Sequence, residues 1–374
     1  MAIQAVKLKP GINREGTRYT TEGGYYDGDK IRFRQGTPEK IGGWTRISEA
    51  TFQGVCRSLH NWVTLGGQNL IGVGTHLKFF IENVGNYNDI TPLRATVSLS
   101  GPFTTVSGST TVTVTDANGG YTDGDFVTFS NATAVGGLTL DGEFQISVGT
   151  LSAANTYTIT ASSAASSSAT GGGTVSAAYQ INSGNAFATL LSGWGASSWG
   201  SGAWNVGESS TEPVRFFTQS NFGEDLIFGH EGGRLYYWDA TNGVGTRAVE
   251  LSSLSGASDV PVIQNLILVS DISRFVFCFG TNPIGSSTLD PTLLRWSDQE
   301  DAANWTPSAT NQAGSLRLSR GTKIVAATTA RQEVLVWTDS SLYSLQYVGA
   351  PSVWTATLVG ENISISSQNA VAYA

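Results

Sequence analysis

Apolar residues in this chain recur at alternate positions over short runs, and turn residues separate the runs. Ile31 and Phe33 alternate with Lys30, Arg32 and Arg34, which predicts a half-buried strand. The Asp27-Gly28 pair just before it is a tight-turn or hairpin signal. Residues 55–92 predict an antiparallel meander of three strands, at 55–63, 69–74 and 77–82, joined by Gly66-Gly67 and Gly74-Thr75-His76. After Pro213 the same rhythm returns, with strands expected at 214–219, 225–229 and 234–238. Three passages share one plan: Gly67-Gln68-Asn69-Leu70-Ile71-Gly72-Val73, Gly223-Glu224-Asp225-Leu226-Ile227-Phe228-Gly229 and Arg331-Gln332-Glu333-Val334-Leu335-Val336-Trp337. Each is a polar turn and a buried strand, followed by a small turn and an aromatic strand. A fourth, less regular copy spans 262–296.

Four-strand units repeated in this way are the mark of blade-like sheets that bury their faces only by stacking on neighbours. The fold class expected is all-β, with β-propeller-like blades left open within this stretch of chain, an inserted small β-sandwich and an extended N-terminal arm. Residues 363–365 and 369–373 read as the first strand of a further blade, so a longer product, a second subunit or an N-terminal strand is expected to close the ring. The expected domains are an arm and hairpin at 1–50, a first blade at 51–94, the insertion at 95–182, a connector at 183–212 and further blades at 213–374.

The insertion differs in composition. It is dense in Thr, Ser, Gly, Val and Ala, with alternation such as Thr111-Val112-Thr113-Val114 and Thr156-Tyr157-Thr158-Ile159-Thr160. Strands of five or six residues with turns about every ten residues suggest a sandwich. Residues 162–173 read either as a flexible linker or as a hairpin tip. The connector holds Trp194, Trp199 and Trp204 among glycines. Those rings fit a seam plug, a carbohydrate-stacking platform or a subunit contact.

Composition agrees with a turn-rich β protein. Charged residues make up 13% of 374, about half the usual share. There are 45 Gly and a single Met, so helical bundles and coiled coils are disfavoured. The net charge of −8 is uneven. Residues 1–57 hold ten Lys/Arg against six acids, net +4, which leaves −12 on the remainder. Between Ala95 and Pro213 there is no Lys or Arg at all. An acidic body does not grip phosphates, though it would let DNA slide past. The basic arm reads as a solvated arm or an interface. No apolar run reaches the length of a membrane helix, and the first residues lack a signal-peptide core.

The chemistry-bearing residues are few. Cys56 and Cys278 stand far apart and read as reduced, buried thiols of a protein matured in a reducing cytosol. His60, His76 and His230 are the only histidines, and no nucleophile elbow, Walker loop or dinucleotide fingerprint accompanies them. No cofactor and no metal is expected. The stretch 23–33 echoes 119–129 at seven of eleven positions, and its Asp-Gly-Asp reads as a turn, calcium demanding more oxygens than it offers. The acid pairs Glu224-Asp225 and Glu300-Asp301 could serve a glycosidase only at a separation that sequence does not give.

Three stretches resemble one family, the tail nozzle (tail tube, or stabilisation) proteins of short-tailed bacteriophages. They are KPGINREGTRYTTEGGYYDGDKIRFRQGTPEKIGGW near the N-terminus, GWGASSWGSGAW, and LRWSDQEDAANWTPSATNQAGSLRL. The resemblance implies a non-enzymatic structural protein of the virion, assembled in the host cytoplasm. It implies six copies in a ring below the portal and adaptor, with DNA passing through the channel without specific binding. Candidate interaction residues are Lys7, Lys9, Arg14, Arg18, Lys30, Arg32 and Arg34 of the arm, docking on the ring above or on a neighbour, and Trp194, Trp199 and Trp204. The insertion would face outward, toward a tail fibre or the host surface. The alternatives from the residues alone are a carbohydrate-binding or carbohydrate-cleaving propeller with an accessory sandwich, and a soluble scaffold propeller for protein partners.

Overall fold

The computed structural model describes residues 8–43, 48–117, 120–148, 155–184, 214–270 and 273–372. The chain forms two compact units, Met1–Glu49 and Ala50–Ala374. In the first unit, β1 (Ile31–Arg34) and β2 (Thr37–Lys40) pair as an antiparallel ribbon. Its turn is Gln35-Gly36, both at positive φ (50° and 80°), the geometry a two-residue hairpin loop demands. The hairpin turn is therefore not at Asp27-Gly28. Asp27 instead accepts the Gly28 N–H and pairs with Arg14, which shapes the approach to β1. Tyr25 and Phe33 meet with ring centroids 5.2 Å apart, and Lys9 N–H donates to the Gly23 carbonyl at 2.8 Å.

The second unit holds the remaining strands and, among the described residues, no α-helix. Its first sheet is a meander of β3 (Cys56–Val63), β4 (Asn69–Thr75), β5 (Phe79–Asn83) and β6 (Asn86–Asp89). The chain then enters a sandwich. One sheet of it combines β7 (Leu93–Ser100), β10 (Phe126–Ser130), β11 (Gly142–Gln145) and β14 (Thr174–Gln180), in the order β11-β10-β14-β7. The other combines β8 (Phe103–Thr105), β9 (Thr111–Thr115), β12 (Thr156–Thr160) and β13 (Ala169–Gly171), in the order β12-β9-β8-β13. Alternation explains the layering. In β9 and β12 the threonines face outward, while Val112, Val114, Tyr157 and Ile159 enter a core shared with Phe103, Phe129, Val175 and Tyr179. Residues 162–173 are the connection that carries β13, with Ala165 buried, and not a loose linker.

Three more meanders follow. The second sheet is β15 (Phe217–Phe222), β16 (Asp225–His230), β17 (Tyr236–Trp238) and β18 (Val249–Glu250). The third is β19 (Gln264–Val269), β20 (Val276–Thr281), β21 (Asp290–Trp296) and β22 (Gly314–Arg317). The fourth is β23 (Ile324–Thr329), β24 (Val334–Thr338), β25 (Ser341–Gly349) and β26 (Val353–Glu361). The unit is thus all-β, with blade-like four-stranded antiparallel sheets.

Each sheet buries its faces on the next. Trp62, Leu70, Phe79 and Ile81 of the first pack with Phe217, Leu226, Phe228 and Trp238 of the second. Phe79 stacks on Phe228 with centroids 3.9 Å apart and planes 18° from parallel. Ile227 and Leu235 of the second meet Ile267, Val269, Val276 and Cys278 of the third, with Trp305. Phe275, Phe277 and Leu294 meet Val334, Val336, Leu345 and Trp354 across the third junction. The first strands are also laced by side chains. Gln219 donates to Ser58 Oγ (2.9 Å), and Ser220 Oγ and Thr218 Oγ1 accept the Val269 and Ile267 amides (3.2 and 3.1 Å).

Residues 363–372 contain no strand, so the further blade strand expected there does not form within the described residues. A strand needs a continuing row of a neighbour's backbone groups; after Asn362, at φ 57°, only the Ile363 amide finds one, the Ser340 carbonyl at 3.2 Å. Glycine sets the closeness of the first junction. A Cβ at Gly74 would lie 2.8 Å from the Phe217 Cβ and 2.6 Å from Ser58 Oγ. Gly74→Ala is therefore expected to lower stability by about 1–3 kcal/mol through overpacking. Urea unfolding checks this, and an unchanged midpoint would mean that the first two sheets do not meet at the distance described.

Candidate functional site

Three places bring polar or unpaired groups together: the joint between the sandwich and the sheets, a cavity between the first strands, and the two ends of the stack. At the joint, Lys78 sits in the turn between β4 and β5 with its side chain only 4% exposed. Its ammonium pairs with Asp89 at 3.1 Å and with Glu143 of the sandwich, and lies 4.6 Å from the Phe126 ring centroid. Arg247, from the loop ahead of β18, reaches Asp89 at 3.1 Å and Glu143 at 3.7 Å, and donates to the Thr91 carbonyl at 2.8 Å. Gln180 donates to Glu143 at 2.6 Å. Two cations and two carboxylates from the first sheet, the second sheet and the insertion thus balance in one half-buried cluster. A second bridge stands beside it, where Arg94 meets Asp125 at 3.3 Å and Asn182 donates to the same carboxylate at 2.8 Å.

Burial alone would raise the Asp89 carboxyl. The Thr91 hydroxyl and the charges of Arg247 and Lys78 outweigh it and hold the group below its ordinary value. Stability from a depressed carboxylate is present above its unfolded value, near 3.9, and is lost as pH falls through the folded one. The unfolding midpoint is therefore expected to stay level from neutrality to about pH 5 and to fall below about pH 4. Lys78→Ala, which leaves Asp89 and Glu143 facing Arg247 alone, is expected to cost about 3–5 kcal/mol and to flatten that acid limb. Chemical denaturation across pH checks both, and a variant as stable as the wild type would remove the joint's structural role.

The cavity, of about 460 Å³, lies between the first strands, lined by Ser58 and His60 of β3, Thr218 and Gln219 of β15, Ile267 of β19 and Ala327 of β23, with Gln368 and Asn369 at its border. It is small-molecule sized. The histidines are tied into the fabric. His60 pairs with Asn221 at 3.1 Å and stacks on Trp62, and His76 Nδ1 accepts the Val55 amide at 3.0 Å. Burial pushes His76 below its usual value. His230 is buried beside the Glu231 carbonyl, 3.1 Å away.

The acid pairs serve structure as well. Asp225 accepts from the Tyr237 hydroxyl and from the Ala240 amide (2.9 Å), Glu224 from the Leu65 amide, and Asp301 from the Ala303 amide (2.9 Å). Cys278 is fully buried, and burial pushes its thiol well up; Cys56 is half-buried and is raised for the same reason. Asp123 accepts the Val148 amide at 2.8 Å, a turn role. Among the described residues no cluster of three or more His, Cys, Asp or Glu could hold a metal. No helix among them is long and apolar enough to cross a membrane.

The basic candidates of the arm are all exposed: Lys9, Arg14, Arg18, Lys30, Arg32 and Arg34. Within their own unit Arg14 pairs with Asp27, Arg32 meets Glu39 at 3.3 Å, Lys30 lies 4.0 Å from Asp29, and Arg18 sits over the Tyr26 ring at 5.6 Å. Lys7, Trp194, Trp199 and Trp204 lie outside the described residues. In the stretch around 293–317, Arg295 is wholly buried, paired with Asp259 at 2.8 Å and facing the Trp305 ring, so the stretch is a packing element of the third sheet.

The ends of the stack stand out by exposure. Of eighteen exposed large hydrophobic side chains among the described residues, ten lie on or beside the two terminal sheets. Val55, Leu59, Val63, Leu65 and Val84 belong to the first, and Tyr347, Val348, Leu358, Val359 and Ile363 to the fourth. The two middle sheets and their loops contribute only Val249 and Ile284. No hydrophobic cluster of described residues joins the fourth sheet to the first.

No family model matches the chain. No curated protein matches it either. Among solved structures it is similar to one described as "Phage phi92 endosialidase", at 15% identity and a TM-score of 0.27, over 88% of this chain and 52% of that one. The chain therefore spans about half the length of that structure, and a likeness at this level assigns no activity.

Proposed function

We propose that the chain is a structural subunit of a short-tailed phage tail, a nozzle-type protein whose copies join in a ring around the channel through which DNA leaves. The observation that carries this reading is the distribution of exposed apolar side chains. Ten of eighteen lie on or beside the two terminal sheets of the stack, against two for the middle sheets and their loops. Exposed apolar surface of this kind marks sites of association. Because the two ends differ, a contact between them is head-to-tail, and such contacts close rings when the rotation allows.

Two further features support it. The sequence stretches that resemble the nozzle family run from the arm to the third sheet. The body is acidic, −12 outside residues 1–57, which suits a channel wall that DNA passes without sticking. On this reading the start of the basic arm, with Lys9, Arg14 and Arg18, meets the portal and adaptor side, and the sandwich projects toward fibres or the host surface.

Native mass measurement and negative-stain images of the purified chain test the proposal. Closed rings of several copies, six if the family's number holds, are the expected result. A chain that stays monomeric at every concentration, alone and with its adaptor, would overturn it.

A further inference from the structure

Outer strands of stable sheets are kept short, charged or covered, because a free row of backbone N–H and C=O groups recruits another strand. Three of the four stacked sheets follow this rule. Their outer strands β6, β18 and β22 have four, two and four residues. The fourth does not. β26 has nine residues, it is the last strand of its sheet, and from Thr357 to Glu361 all but Gly360 are exposed. Leu358 (39%) and Val359 (58%) stand open there on opposite faces. The sandwich edge β7 is eight residues long but packs Val97 and Leu99 on its own core.

Among the described residues the N-terminal unit holds a ribbon that is a sheet by itself. β1 and β2 form a two-stranded sheet of four residues a side. A lone hairpin of that size is marginal in water and gains stability from a third strand. Its length matches the five-residue open stretch of β26. Ile31 and Phe33 point to one face and Arg32 and Arg34 to the other, so an added ribbon would offer apolar groups to one side of the edge and charges to the solvent.

We propose that the free edge of β26 takes the β1–β2 ribbon of a second copy of this chain as added strands. Main-chain hydrogen bonds would supply the affinity, and Val359 would be covered by the apolar face of the ribbon. The inference rests on the ring reading and names the contact that links neighbours.

The test uses the full-length protein. Val359→Lys places a charge on the edge at an exposed position and is expected to weaken assembly by about tenfold or more while the unfolding midpoint stays put. Pro38 leaves β2 without an outward N–H, so the pairing strand of the ribbon is β1. In parallel, one preparation carrying Ile31→Cys is mixed with another carrying Val359→Cys under mild oxidation. The expected result is a disulfide between the two copies that wild-type protein does not form. Rings that assemble normally with Val359→Lys and yield no mixed cross-link would overturn this inference and leave the ring reading standing. Wild-type protein that never assembles would overturn both. A chain carrying both cysteines that cross-links within itself, unaffected by dilution, would also overturn the inference, because the ribbon would then belong to its own edge.

Discussion

Face-to-face packing of one small antiparallel sheet on the next is the contact on which this molecule depends. A four-stranded sheet of this size cannot bury itself, and here each is sealed by its neighbour. The first junction is an aromatic one, with Phe79 stacked on Phe228 and Trp62 against Trp238. The third is aromatic too, with Phe277 edge-on to Trp354 at 4.9 Å. Pairs of this kind add about 0.5–1.5 kcal/mol each beyond the area they bury. The middle junction relies on aliphatic side chains around Trp305. A structure built from nearest-neighbour contacts has a consequence at its ends, where the same kind of surface is left without a mate.

The sandwich is attached mainly by a different force. Its core contains only its own residues, and apart from Ile181, which enters the core of the first junction, what crosses to the sheets is charge. The insertion has no Lys or Arg, so Glu143 takes its cations from Lys78 and Arg247 on the sheets, while Asp125 pairs with Arg94 at the start of the sandwich's own edge strand β7. Buried ion pairs contribute little net stability compared with a well-packed apolar contact, but losing one partner is costly. The joint therefore fixes the attitude of the sandwich more than it adds to the stability of the fold.

Much of this architecture was legible in the sequence. The alternation at Thr111–Thr115 and Thr156–Thr160 and the repeated polar-turn-plus-apolar-strand plan pointed to the inner strands, because those strands carry the buried side chains. The outer strands were not legible. β6 reads Asn-Tyr-Asn-Asp, a polar run without periodicity, and β18 has two residues. Edge strands bury little, so their sequences record little. The joint was invisible for another reason: Lys78, Glu143 and Arg247 lie far apart in the chain, and nothing local marks them as partners. One hint existed, since an acidic insertion without bases must find its counter-ions elsewhere. Gly74 looked like a turn residue, whereas its role is to admit Phe217 from the next sheet.

The account stands or falls on where the molecule gains contacts when copies meet. Hydrogen exchange, compared between a dilute and a concentrated sample of the same protein, reads this strand by strand. The account expects added protection at β1, β2, β3, β25 and β26, with little change at β16, β17, β20 and β21. Protection that rises in the middle sheets, or that rises nowhere as concentration increases, would contradict it.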